Sequence, residues 1–239
     1  MIIKNNNGIV LRNTIFTLIL LVTTLSSAQG LQKVVKNKIN TTNTISDRNN
    51  IIVIEAENFT RQEKQATRSW YLVTNKITPK VKKDPDHSHS SGASGLSYLE
   101  LLPDTWYNKK QKKVVGKNFS RTPGEMAVLN YEINFKEKGR YYVWVRAFAN
   151  NGFDNSIHVG VDGKWPTNAK MLYLCEDKMN KWSWSSSQFV EEERCTSKRR
   201  IYIDIDKPGK HNVMFSMRED GFEFDKWMLT KQENIIPEE

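Results

Sequence analysis

The chain has 239 residues, 38% of them hydrophobic, with 36 Lys and Arg against 27 Asp and Glu for a formal net charge of +9. That is enough apolar material for one domain with a sizeable core, and no internal repeat or low-complexity linker divides it. The basic surplus points to a polyanionic partner, nucleic acid or acidic polysaccharide, unless its charge runs are simply solvated loops.

"MIIKNNNGIVLRNTIFTLILLVTTLSSAQG" places Lys4 and Arg12 before an apolar run, Ile15 to Val22, and then Ser26-Ser27-Ala28. A charged region, a short apolar region and a small-residue cleavage site make residues 1–28 a secretory signal. The run is too short for a spanning helix, which needs about 20 apolar residues, so no membrane span is expected. Cleavage after Ala28 leaves 211 residues and a charge of +7. In an exported protein the anionic partner is polysaccharide rather than nucleic acid. Residues 29–50 are polar and rich in Asn and Thr, and read as a flexible leader. The domain proper is placed at 51–232, with 233–239 as a tail.

From Ile51 onward, period-two alternation dominates. "VLNYEINF" sets Leu129, Tyr131, Ile133 and Phe135 on one face. In "YYVWVRAFA", Val143, Val145 and Ala147 oppose Trp144 and Arg146. "SIHVGVDG" alternates Ile157, Val159 and Val161 and ends in an Asp-Gly turn. "RIYIDID" and "HNVMFSM" follow the same rule, and "EKGR", "KPGK" and "EDGF" mark turns. Many short strands in one domain predict an all-β protein, a β-sandwich of jelly-roll type. Cys175 and Cys195, an even pair in an exported chain, predict a disulfide around "WSWSSSQF". One residue resists the pattern: Asp225 stands in the middle of "FEFDKWML", a segment that otherwise reads as half-buried strand.

Four stretches taken together, "IEAENF", "GRYYVWVRAFANNGFDNSIHVGVDG", "WSW" and "KPGKHNVMFSMREDGFEFDKWMLT", resemble the galactose-binding-like β-sandwiches used as non-catalytic carbohydrate-binding modules. The nearest groups are modules of the family 6 and 35 type and the C-terminal domain of family 115 glycoside hydrolases. The resemblance covers about residues 51 to 230. It implies that the first and last strands are neighbours and that Glu55, Glu57 and Asp225 hold a structural Ca²⁺. Independently of any family, Glu55 and Glu57 are two apart and would share one face of a strand. Carboxylates brought together need protons or a cation, and calcium accepts six to eight oxygens. The alternative is that these acids pair with Arg or Lys at the sheet edge.

The resemblance also implies sugar binding on loops at one end. Arg218 and Asp220 in "REDG" are then candidates for contacts to hydroxyls or charged substituents, or else a local ion pair that fixes the turn. Gly221 is expected to supply the positive φ of that turn. Sugar sites combine an aromatic platform with polar groups. Of 7 Trp, Trp182 and Trp184 in "KWSWSSSQF" are the platform candidates, one at the rim and one in the core, or both in the core. "ANNGFDNSIH" offers Asp154, Asn155 and His158, although Asn and Asp are ordinary turn residues. "DHSHSSGASG" carries His87 and His89, but no further metal ligand stands at a suitable spacing. No Gly-rich phosphate loop, Cys₂His₂ spacing or G-x-S-x-G elbow is present. The expected function is non-catalytic polysaccharide binding. The rival readings are a β-sandwich lyase using Tyr142, His158 and Arg146, a glycoside hydrolase, and a surface adhesin that binds protein through the same loops.

Overall fold

Alternating side chains build two antiparallel sheets that trap one core between them. The computed structural model describes residues 51–81, 83–191, 195 and 199–238. The expected signal and leader at 1–50 lie outside the described residues. In chain order the strands are β1 (Ile52–Glu55), β2 (Arg61–Glu63), β3 (Ser69–Thr74), β4 (Ser97–Leu102), β5 (Val128–Phe135), β6 (Gly139–Phe148) and β7 (Ser156–Val161). They continue with β8 (Leu172–Tyr173), β9 (Ser183–Ser185), β10 (Ser187–Gln188), β11 (Tyr202–Ile205), β12 (Gly209–Met217) and β13 (Glu223–Thr230). The first sheet runs β11-β6-β13-β4-β3, with β1 also on β13 and β9 also on β6. The second runs β10-β8-β7-β12-β5-β2. Neighbours distant in sequence, β6 beside β13 and β5 beside β12, give a jelly-roll β-sandwich. No helix among the described residues is long and apolar enough to cross a membrane.

The faces read from the sequence are the faces observed. Leu129, Tyr131, Ile133 and Phe135 point inward from β5, Val143, Val145 and Ala147 from β6, and Val213, Phe215 and Met217 from β12. Tyr131, Phe215 and Trp227 meet edge to face, with ring centroids 5.0–5.7 Å apart. Each such side chain, fully removed from water, contributes about 1.5–3 kcal/mol. The Asp-Gly turn after β7 is a two-residue hairpin with φ of +50° at Asp162 and +75° at Gly163. Both values belong to the primed turn that the sequence demands.

Asp225 has a topological explanation. The alternation of β13 slips between Phe224 and Lys226, a bulge that leaves Asp225 unpaired in the ladder. On that edge β13 pairs with β4 through Glu223 and Phe224, and with β1 from Lys226 to Leu229. Asp225 thus marks the place where one partner strand gives way to the next. It also lets Phe224 and Trp227 both point into the core. The first and last strands are neighbours, as expected, with Ile52 opposite Leu229 and Glu55 opposite Lys226.

One local expectation fails. Glu55 and Glu57 do not lie on a single strand, because β1 stops at Glu55 and Ala56–Asn58 form a 3₁₀ turn. The strand has no partner beyond Lys226, and the buried Ala56 carbonyl instead accepts the Tyr131 hydroxyl at 2.6 Å. The Cys175–Cys195 disulfide is present and encloses β9 and β10, with the Cα atoms 5.6 Å apart.

Candidate functional site

Most of the polar residues marked by sequence are buried and hydrogen-bonded within the protein itself, although Asp220 Oδ1 is buried without a partner. Asp220 is 0% exposed. Its Oδ2 accepts from Arg68 Nε and Nη2 at 3.2 and 2.9 Å, and from the Thr105 N–H and hydroxyl at 2.8 and 2.9 Å. Of the two readings of Arg218 and Asp220, the local ion pair between them does not form. Asp220 instead meets Arg68 at 2.9 Å, and Arg218 pairs with Glu219 at 2.7 Å. Gly221 has φ +76°, and a Cβ there would stand 2.8 Å from the Asp104 carboxyl carbon. Glycine is required twice over, for backbone conformation and for room.

Asp154 accepts the Asn150 and Asn151 N–H groups, both at 3.1 Å, and so fixes the loop that contains it. Asn155 donates its amide to the Leu174 carbonyl at 2.9 Å. His158 sits on the outer side of the second sheet, where its Nδ1 accepts the Met171 N–H at 3.1 Å and its Nε2 faces the Ser120 carbonyl at 3.3 Å. Burial lowers its pKa to about 4, so the ring is neutral. The trio expected of a lyase is dispersed. Tyr142 and Arg146 belong to β6 in one sheet, and His158 belongs to β7 in the other.

The Trp182/Trp184 pair corrects the expectation of a rim platform. Both rings pack on the outer face of the first sheet and are 8% and 4% exposed. Trp182 fits edge to face against Tyr98 and Phe148 and donates to the His89 carbonyl at 3.0 Å. Trp184 clusters with Trp144 and Met228, with Ile51 and Ile235 packed against them, and donates to the Glu238 carbonyl at 3.0 Å. The outer sheet face is covered by the chain's own segments, so neither indole plane is open to a sugar.

An open aromatic surface does exist, at the loop end beside "REDG", where sequence patterning gave no signal. Trp106 and Phe153 are half-buried and meet edge to face at 5.1 Å, and Trp106 meets Phe119 at 5.8 Å. Lys113 Nζ lies 5.1 Å from the Trp106 ring centroid and 4.7 Å from that of Phe119. The Arg218 guanidinium lies 5.0 Å from Phe119 and 5.2 Å from Phe189. The loop that follows Trp106 exposes Lys109, Lys110, Lys112, Lys113 and Lys117 together with Val114 and Val115. The aromatic residues come from separate loops, so no short motif could announce them. The clue that the sequence did carry was the basic run "NKKQKKVVGKNFSR" just after Trp106. Beneath this surface Asp104 is buried beside Asp220, and desolvation followed by the Asp220 charge pushes its pKa up to about 8. Asp154 is pushed up to about 7, chiefly by burial.

Two groups of carboxylates lie on the outer side of the first sheet. In one, the Ser94–Ser97 turn reaches all three acids expected at a calcium site. Ser94 donates its N–H to Asp225 at 2.8 Å and its hydroxyl to Glu55 at 2.9 Å, and Ser97 donates to Glu57 at 2.5 Å. Arg146 pairs with Asp225 at 2.6 Å, so a cationic side chain already serves that acid. Glu55 Oε2 and Glu57 Oε2 are buried without a hydrogen-bond partner. Desolvation raises the pKa of both residues above the ordinary range, against the opposing hydrogen bonds from Ser94 and Ser97. The second group surrounds His89, for which the sequence offered no further ligands. Folding brings Asp84 and Asp86 from its own loop, Glu100 from β4 and Glu223 from β13.

Residues 86–236 match the glycosyl hydrolase family 115 C-terminal domain. The chain belongs to that family. This family 115 C-terminal domain is 43% identical over 191 residues to "Uncharacterized protein P23" of Formosa agariphila, a stretch that is 80% of this chain and 46% of that protein. It therefore spans about half the length of the curated relative it matches. Among solved structures it is similar to a family 35 carbohydrate binding module from Clostridium thermocellum, with a TM-score of 0.44 and 9% identity over 75% of this chain and 96% of the other. It is also similar to the C-terminal CBM6 of LamC, a marine laminarinase from Zobellia galactanivorans, with a TM-score of 0.36 and 10% identity over 76% and 99% of the two chains. The matched span of the family 115 C-terminal domain holds Trp106, Phe153, Asp225, Asp86, His89, Glu100 and Glu223 but not Asp84, Glu55 or Glu57.

Proposed function

We propose that this chain is exported and binds an anionic polysaccharide without chemically altering it, through the loop end that carries Trp106, Phe153 and Arg218. The observation that carries the reading is the half-buried Trp106–Phe153 pair flanked by Lys113 and Arg218. A sugar ring presents an apolar C–H face to such rings, while carboxylate or sulfate substituents are attracted by the cations beside them. Arg218 suits this role because its plane is already held by Glu219 and stacked between Phe119 and Phe189, so little freedom remains to be lost on binding. Asp220, Asp154, Asn155 and His158 act as the frame of the loops. Trp182 and Trp184 hold the neighbouring sheet face. Membership in a family of glycosyl hydrolase C-terminal domains supports a role beside carbohydrate chemistry, and the dispersal of Tyr142, Arg146 and His158 supports a role without catalysis.

Calcium at Glu55, Glu57 and Asp225 belongs to the same proposal. The two orphaned carboxylate oxygens fit a hard cation that takes oxygen ligands. Asp225, shared with Arg146, would complete the set and tie β1 to β13. The ion's contribution would be structural, and the loop end would remain the binding surface.

The test is an array of neutral and acidic polysaccharides probed with the purified exported chain, with soluble products assayed in parallel. The proposal expects retention on acidic glycans, weakening as salt screens the exposed lysines, and no release of reducing ends or unsaturated sugars. Products that scale with protein concentration, or binding confined to neutral glycans and indifferent to salt, would overturn it.

A further inference from the structure

The loop between β3 and β4 lies over the outer face of the first sheet and gathers an acidic cluster there. Its floor is a cross-strand pair of like charge, with Glu223 of β13 directly opposite Glu100 of β4. Opposed carboxylates are destabilising on an ordinary sheet face, and here both residues are nearly sealed from water, 1% and 3% exposed. From above, the loop contributes Asp84, Asp86 and His89. Ligand atoms of Asp86, His89 and Glu223 all lie within 4.8 Å of one another, and so do those of Asp84, Asp86 and Glu100. The two sets share Asp86.

The arrangement is held by more than charge. The His89 ring stacks on Phe148 at 3.7 Å with an interplanar angle of 17°, which fixes the imidazole plane. Its Nδ1 lies 2.7 Å from Glu223 Oε1. The Trp182 indole donates to the His89 carbonyl, and the Asn150 amide donates to Asp86. Glu223 Oε2, by contrast, is buried and has no hydrogen-bond partner at all. Three other buried acids of this protein are served by arginine, Asp220 by Arg68, Asp225 by Arg146 and Glu219 by Arg218. After desolvation, the charges that weigh most on Glu223 are all carboxylates: Glu100, Asp86, Asp154 and Asp84. Desolvation also lowers the His89 pKa, a shift toward the neutral form that metal coordination requires.

We propose that Asp86, His89 and Glu223, flanked by Asp84 and Glu100, bind one divalent metal ion of the Mn²⁺ or Zn²⁺ type. The site is separate from the Glu55/Glu57/Asp225 group. One imidazole among carboxylates favours such an ion over Ca²⁺, which takes oxygen ligands. Two ligands of an ion with bonds of about 2.1 Å lie at most about 4.2 Å apart, so a small side-chain adjustment brings this set into coordination. An ion here would satisfy Glu223 Oε2, neutralise the Glu223–Glu100 opposition and fasten the β3–β4 loop to the sheet.

The experiment is titration of the chelator-treated chain with Mn²⁺ and, separately, Zn²⁺, followed by calorimetry, thermal unfolding and elemental analysis after dialysis. Expected is one saturable site for at least one of these ions, with a rise in Tm. Glu223→Gln and His89→Ala should each weaken binding by at least about tenfold, whereas Glu57→Gln should leave it intact. Should Glu223→Gln not fold, His89→Ala carries the test, since that side chain comes from the overlying loop. Absence of saturable binding of both ions would overturn the proposal, because the cluster would then be a set of carboxyl groups sharing protons. Binding that survives in His89→Ala and Glu223→Gln but is lost in Glu57→Gln would overturn it equally, by assigning the metal to the other group.

Discussion

Two aromatic regions of this protein invert what their sequences suggest. "KWSWSSSQF" looks like a ligand platform, yet Trp182 and Trp184 are buried and both indole N–H groups are spent on backbone carbonyls. Trp106 and Phe153 stand in irregular loops without a motif, and they form the half-open surface between cationic side chains. The difference lies in what passes overhead. The β3–β4 loop covers Trp182, and the C-terminal segment at Ile235 and Glu238 covers Trp184. A strand pattern specifies which way a side chain points, and only the rest of the chain decides whether that side is left open.

The comparison can be broken first at the buried pair. Trp182→Ala or Trp184→Ala should cost about 3–5 kcal/mol of stability, the usual range for emptying a buried aromatic site. Chemical denaturation would show this as a lowered midpoint. A loss under about 1 kcal/mol, together with weakened glycan retention, would return these residues to the role of platform. The disulfide that encloses the same segment offers a second break. Replacing Cys175 and Cys195 by Ser should cost about 2–4 kcal/mol, typical of releasing a short closed loop. The same denaturation curve checks it, and glycan affinity of the still-folded variant should change far less than stability, because Trp106, Phe119 and Phe153 lie on other segments and Phe189, against Arg218, is the site residue within the enclosed loop.

A smaller effect sharpens the other side. Asp104 and Asp154, under the loop end, have folded-state pKa values pushed up to about 8 and about 7. An unfolded Asp titrates near 3.9, so across that interval the folded state holds more protons than the unfolded one. The stability these two groups supply is complete below about pH 4 and is lost as pH rises through about 7 and 8. Tm measured in chelator should therefore decline between about pH 5 and pH 9, and Asp104→Asn should flatten the decline. A Tm that is level or rises with pH in that window would mean that both acids are ionised in the fold and paired there.

The sandwich was largely legible in advance. The inward residues of β5, β6, β7 and β12 follow from alternation alone, and Gly221 and the Asp162-Gly163 turn follow from backbone conformation. The neighbouring of β1 and β13 came through resemblance rather than pattern. What escaped was set by long-range pairing. The end of β1 at Glu55 depends on the bulge at Asp225, which depends in turn on β13 exchanging β4 for β1 as its partner. The same holds for the carboxylates. Asp220 finds Arg68, 152 residues away, rather than the nearby Arg218, and His89 finds Glu223, 134 residues away. Separations of that size leave no trace in local spacing.

Trp106 and Phe153 are the proposed glycan platform. Its most direct test is calorimetric titration of wild type, Trp106→Ala and Phe153→Ala with the acidic polysaccharide retained best on the array, each protein first shown to unfold at a comparable temperature. If stacking on a sugar resembles stacking on a base, each variant should lose about 1–3 kcal/mol of binding free energy, or about 5–150-fold in affinity. Trp106→Ala and Phe153→Ala variants that both fold and bind like wild type would contradict the account and move the binding surface away from the loop end.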